Sequence, residues 1–167
     1  GLDWYRDWVT VVVYPGEFIA PLEETDEAGV VHARREVRSG EASERGPVVL
    51  SVSGVLESRH RDGYNVVVHE MAHKLDMLTG APDGCPPLPR GLAGPWARDF
   101  AAAYRDLQER VDRGEETLID PYAGEDPAEF FAVVSEYFFE YPELVAEPYP
   151  EVYRHLCAFY RQDPVRL

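Results

Sequence analysis

His69, Glu70 and His73 stand at the spacing of an HExxH motif, within the run His69-Glu70-Met71-Ala72-His73. On a helix, residues four apart lie one above the other on the same face. Both imidazoles can then reach one metal ion, while Glu70, next to the first, is left to handle a water molecule. That chemistry is zinc-assisted hydrolysis, most often of a peptide bond. Val66, Val67, Val68, Met71, Leu75 and Leu78 surround the motif, so the helix that carries it reads as largely buried. Two histidines and a glutamate on such a helix are costly without partners, and a metal supplies one. The competing reading is a pair of hydrogen-bonded core histidines.

A zinc site of this kind takes a third protein ligand and leaves its fourth position to water. Three acidic residues are candidates. Asp76 follows His73 by three positions, and the helix would have to break for it to join the metal, so a supporting or surface role suits it better. Glu129 and Glu136 lie seven apart on one face of a helix that begins at Pro127. Their neighbours Phe130, Phe131, Val133, Val134, Tyr137 and Phe138 are apolar, and a carboxylate facing such packing needs a cation or donors. Glu129 also has a structural reading, with Asp126 as helix cap, Pro127 in the first turn and Glu129 completing a capping box. Spacing alone leaves Glu129 and Glu136 open.

The elements that must position these groups fall into two halves. Trp8 to Tyr14 reads as a strand closed by the Pro15-Gly16 turn, and Val30 to Val37 as a weaker one. Pro47 to Leu56 alternates Val48, Leu50 and Val52 against Val49, Ser51 and Ser53, the pattern of a half-buried strand. Such a strand is a candidate to pair with an extended peptide. Acidic, glycine-containing loops lie between. In the second half, Asp62 is placed to cap a helix running through the motif to Thr79, with Gly80 ending it. Residues 81–95 hold five prolines and three glycines and read as an ordered loop. Trp96, Phe100, Tyr104, Leu107 and Val111 form a helical stripe of core packing. Two further helices are predicted near 127–140 and 149–162. The whole reads as one α+β domain over residues 1–167, a small mixed sheet packed on the HExxH helix with further C-terminal helices.

Composition bounds the partners. The chain has 167 residues, 45% of them hydrophobic, enough for a real core. Sixteen Lys and Arg stand against 31 Asp and Glu, a net charge of −15. That surface argues against direct binding of nucleic acid or anionic membranes. No apolar stretch has the length to cross a bilayer, and no secretion leader is recognised. Cys85 and Cys157 follow no metal or disulfide pattern and read as free thiols of a reducing compartment, the cytoplasm by default. His32 reads as a structural or supporting residue, and His60 and His155 as surface residues.

The segments HEMAHKLD, DPYAGEDPAEFFAVVSEYFFEYPEL and FYRQDP, with VVYPGEF, GVVHARREVRSGE and GPVVLS upstream, resemble the Mlc titration factor A family of bacterial zinc peptidases. The likeness covers nearly the whole chain. It implies a zincin-like fold of the gluzincin type, in which the third zinc ligand is the glutamate of the Pro-Ala-Glu segment, here Glu129. Glu136 then supports the ligands from behind, and Tyr122 stabilises the transition state. The resemblance implies one zinc ion held by His69, His73 and Glu129, with a zinc-bound water activated by Glu70 as general base. It points to an aminopeptidase-like action on short peptides. It also raises the alternative of a regulatory protein that binds and sequesters a repressor of the Mlc type, with or without peptidase activity. Family members are longer at the N-terminus, with a helical segment not recognised in this chain.

Overall fold

A computed structural model describes residues 4, 10–25, 31–43, 46–60 and 62–167, with the backbone alone at 21–25 and 31–36. Among the described residues five strands come first: β1 (Val11–Tyr14), β2 (Phe18–Thr25), β3 (Val31–Arg38), β4 (Gly40–Ala42) and β5 (Val48–Ser51). Six α-helices follow among the same residues: α1 (Val52–Glu57), α2 (Val66–Asp76), α3 (Ala93–Asp112), α4 (Pro127–Glu140), α5 (Glu143–Ala146) and α6 (Pro150–Tyr160). Short 3-10 turns occupy Met77–Thr79, Pro121–Gly124 and Pro164–Arg166.

The main sheet is small and mixed, in the order β1-β5-β4, with β1 parallel and β4 antiparallel to β5. β2 and β3 form a separate antiparallel pair, in register from Phe18 opposite Arg38 to Thr25 opposite Val31. Val48 and Leu50 of β5 are buried and meet Val66 at the start of α2, which seats the motif helix on the sheet. The larger core is helical. Trp96, Phe100 and Leu107 of α3 pack with Phe130, Phe131 and Phe138 of α4 and with Leu156 and Phe159 of α6. The Trp96 and Phe100 rings stack at 4.1 Å, so the aromatic stripe read from the sequence is core.

Four expectations need correction. The run Pro47 to Leu56 is strand only as far as Ser51. There the serine hydroxyl accepts from the Gly54 amide at 2.9 Å and caps α1, so the alternation ends in a helix start. β5 also lies in the middle of its sheet, with β1 and β4 on its two sides, so it has no edge to offer a peptide. The motif helix is capped by Asn65, whose side-chain oxygen accepts from Val68 at 3.0 Å. Asp62 instead accepts from the Tyr64 amide at 3.2 Å, building the turn ahead of the helix. β2 and β4 fall where the sequence suggested loops. The expected strand from Trp8 begins in its described part at Val11, and residues 8 and 9 lie outside the described residues, as does Val30 ahead of β3.

The remaining histidines divide. His60 is exposed, as expected, and the side chain of His32 lies outside the described residues. His155 is buried rather than on the surface, with Nε2 2.8 Å from Asp99 Oδ2. Its place on the apolar face of α6, within ring contact of Trp96, explains that position.

Candidate metal centre

α2 starts at Asn65 because an asparagine there satisfies an otherwise unpaired helical amide. From that start, His69 and His73 follow one turn apart on the side facing α4, their Nε2 atoms 3.0 Å from each other. α4 begins at Asp126, whose carboxylate accepts from the amides of Ala128 and Glu129 at 2.7 and 2.9 Å, with Pro127 in the first turn. The cap read from the sequence is therefore real. The Glu129 side chain, however, does not close a capping box. Its carboxylate reaches α2 instead, with Oε2 3.1 Å from His69 Nε2 and Oε1 3.3 Å from His73 Nε2.

These three side chains bring one ligand atom each to within 4.8 Å of one another. Atoms about 2.0–2.2 Å from a tetrahedral zinc lie roughly 3.3 Å apart, so the spacing suits such an ion. Two further observations support the fit. Two ring nitrogens facing each other share at most one proton, and Glu129 Oε2 is buried without a hydrogen-bond partner despite its closeness to His69. Three carboxylates, those of Glu70, Glu129 and Glu136, are also mostly buried around two imidazoles. A divalent cation would satisfy both the orphaned lone pairs and the excess negative charge.

Glu136 does not converge on that point. Its Oε1 lies 2.8 Å from His69 Nδ1, and its Oε2 accepts from the backbone amide of Asn65. One carboxylate thus ties α4 to the start of α2 and holds the His69 ring by the nitrogen facing away from the cluster. Asn65 fastens the same junction through its amide, which donates to Glu140 at 2.6 Å. Asp76, fully buried in the last turn of α2, also stays out of the cluster.

The electrostatics follow from this crowding. Burial pushes the His69 imidazole down, but the carboxylates of Glu129 and Glu136 outweigh it and raise its pKa to about 10. Burial pushes Glu129 up, and the two histidines overcome that and hold its carboxyl well below the usual range. Burial raises Glu70, with the histidines opposing. Glu136 is likewise pushed up by burial against the pull of His69.

A cleft of about 720 Å³ opens over the cluster, lined among others by Arg38, Gly40, Tyr64, Glu70, Tyr122 and Tyr137. Tyr122 sits in the 3-10 turn capped by Asp120, half exposed, its ring centroid 6.2 Å from that of His69. Glu70 lies against β4. A Cβ built on Gly40 would fall 2.5 Å from Glu70 Oε1 and 2.7 Å from Val66 Cγ2. Sequence reasoning gave Gly40 and Tyr64 no role. A glycine inside a strand marks a close backbone approach, and that was the available signal for Gly40. For Tyr64 the sequence carries none.

The model of the glucose-regulated metallo-peptidase M90 family matches residues 1–161. The chain is 43% identical over 168 residues to Mlc titration factor A of Salmonella agona (strain SL483), covering 98% of this chain and 63% of that protein. It is 42% identical to the protein of the same name from Yersinia enterocolitica, covering 99% and 63%. It is 44% identical to that of Salmonella arizonae, covering 98% and 66%. The chain therefore spans just under two thirds of the length of these curated relatives. Nearly the whole of it, the His69-His73-Glu129 cluster and the cleft included, falls within the matched residues, and the chain belongs to the glucose-regulated metallo-peptidase M90 family.

Proposed function

We propose that this chain is a zinc-dependent peptidase of the gluzincin type with a zincin-like fold, organised as a single domain over residues 1–167. His69, His73 and Glu129 would hold one zinc ion. The observation that carries the reading is their convergence beside a buried glutamate, Glu70, at the floor of an open cleft. Zinc in that place supplies Lewis acidity, lowering the pKa of water and polarising a carbonyl.

The chain's own residues do the rest. Glu70 takes the proton of the attacking water and passes it to the leaving amine, and its burial strengthens it as a base. Tyr122 donates a hydrogen bond to the oxyanion that develops on the substrate carbonyl. Among the described residues no strand pairs with the outer edge of β4, and Gly40, Glu41 and Ala42 line the cleft. An extended peptide adds to that edge as a further strand, in place of β5. Asp62, Asp120 and Asp126 add negative charge to the cleft wall, which favours a protonated amino terminus and hence aminopeptidase-like action on short peptides. Cys85 and Cys157 are free thiols, which suits a reducing compartment, and the cytoplasm is the proposed location. No helix among the described residues is long and apolar enough to cross a membrane.

The name of the relatives favours a second reading, capture of a repressor of the Mlc type, which is compatible with the first. Elemental analysis of wild type, Glu129→Ala and Glu136→Ala, followed by a peptide-cleavage screen, tests the enzyme. About one zinc per chain is expected in the wild type, lost with Glu129→Ala and retained with Glu136→Ala. Glu70→Gln should abolish cleavage and leave repressor binding intact. Cleavage surviving in Glu70→Gln would overturn the mechanism, and wild type without zinc after reconstitution would overturn the enzyme.

A further inference from the structure

The cleft is uneven in charge. Asp120, Tyr122 and Asp126 line it from the side of α4, where Asp120 caps the turn that carries Tyr122 and Asp126 caps α4 itself. On the side of β4 stands Arg38, the one lysine or arginine among the described residues that line the cleft. In a chain with a net charge of −15, a cation placed inside an acidic cleft is an exception that calls for a reason.

The fold fixes where Arg38 stands. It is the last residue of β3, opposite Phe18 of β2, and Ser39 alone separates it from Gly40 of β4. Its Nη1 donates to Glu41 Oε1 at 3.5 Å, and its side chain is 26% exposed. A guanidinium carries five donors in a planar fork and can serve a protein carboxylate and a ligand carboxylate at once. Gly40 is the residue whose added Cβ would fall 2.5 Å from Glu70 Oε1. Two residues of chain span at most about 7 Å, so the Arg38 backbone lies within that distance of the place where β4 meets Glu70. The charge of Arg38 also acts on Glu70. An extended peptide advances about 3.3–3.6 Å per residue. The group that matches Arg38 is therefore an anion one or two residues beyond the bond at which Glu70 works.

We propose that Arg38 is a specificity-determining residue that binds a substrate carboxylate one or two residues past the scissile bond. A di- or tripeptide with a free C-terminus supplies that group, and its protonated amino terminus then meets the acids on the side of α4. An aspartate side chain in the same place presents the same chemistry. This rests on the peptidase reading, with Glu70 as the general base.

Four peptides separate the two sources of the carboxylate: Ala-Ala, its C-terminal amide, Ala-Asp amide and Ala-Asn amide. kcat and KM are measured with zinc-loaded wild type, Arg38→Gln and Arg38→Lys, beside melting temperatures. Calorimetry reads binding of the same peptides to Glu70→Gln, with and without Arg38→Gln. A hydrogen bond to a charged group predicts a kcat/KM about 10-fold or more higher for Ala-Ala than for its amide. The net charge of the chain alone would push the preference the other way. The preference should vanish in Arg38→Gln, mostly through KM, and survive in part in Arg38→Lys. A preference for Ala-Asp amide over Ala-Asn amide, lost in Arg38→Gln, assigns the site to a side-chain carboxylate instead. No preference of either kind in the wild type, or one that survives Arg38→Gln, overturns the proposal. So does an equal fall for acid and amide in Arg38→Gln, which would mean that the arginine acts through Glu70. Should Arg38→Gln not fold, the wild-type comparison and Arg38→Lys decide. Zinc-loaded wild type that cleaves none of the four overturns the peptidase reading, whereas Glu70→Gln that binds neither acid better than its neutral counterpart overturns the role of Arg38 alone.

Discussion

Replacing Gly40 with alanine tests whether β4 sets the position of Glu70. The new methyl carbon would lie 2.5 Å from Glu70 Oε1, 2.7 Å from Glu70 Cγ and 2.7 Å from Val66 Cγ2. Ordinary carbon contacts are about 3.5–4.0 Å, so the glutamate must withdraw by roughly 1 Å. Val66 and Glu70 are both buried, and the longer, more flexible glutamate is the one that can give way. A shift of about 1 Å in a reacting group costs on the order of 100-fold in rate. The proposed metal ligands stand on other residues, so the zinc content expected of the wild type should be unchanged. The assay is kcat for a short peptide, measured beside zinc content and melting temperature. Gly94→Ala serves as control, because no atom lies within 4 Å of the Cβ it would add, and it should leave kcat unchanged. A Gly40→Ala protein that turns over at the wild-type rate would refute the placement of Glu70 against β4. Equal losses in the two variants would show that the effect is not steric.

The metal-free protein should lose stability as pH rises. His69 is raised from its ordinary 6.5 to about 10, so its contribution is fully present below pH 6.5 and is lost as pH climbs through 10. Denaturant unfolding in the presence of a chelator reads this as a fall of a few kcal/mol, at roughly 1.4 kcal/mol for each pH unit between those two values, absent in His69→Asn. A flat profile in the wild type would contradict the pairing of His69 with Glu129 and Glu136. Trp96→Ala should cost about 3–5 kcal/mol, because its fully buried ring stacks on Phe100 and its Nε1 holds the loop at Gly84. Chemical denaturation measures it, and a loss below about 1 kcal/mol would mean that the loop and α3 repack without it.

The long helices of the second half were legible from their apolar stripes, and some also from an end signal, whereas the four-residue α5 went unread. α4 carries both: Asp126 and Pro127 mark its start, and its phenylalanines and valines fill the core. The same richness hid the function of its glutamates. On a helix buried on nearly every side, seven-residue spacing puts Glu129 and Glu136 on one face but does not say which meets His69 at Nε2 and which at Nδ1. The two differ by two turns along α4, and only the crossing of α2 over α4 turns that offset into two roles. Resemblance to the family pointed to Glu129, and Glu129 is the carboxylate near both Nε2 atoms while Glu136 lies at His69 Nδ1.

The sheet side was harder to read for a reason that bears on function. β4 is three residues long, Gly40-Glu41-Ala42, with no β-branched side chain and no alternation to count. Its pairing with Val48, Val49 and Leu50 comes from the partner strand and leaves no mark on its own sequence. Yet this segment is a cleft wall beside Glu70, the proposed general base, and its glycine is what lets backbone lie against that carboxylate. A longer, bulkier strand would be easier to recognise and would leave no room for Glu70. The shortness that conceals β4 and the absence of a side chain at Gly40 are thus the features that suit it to its place.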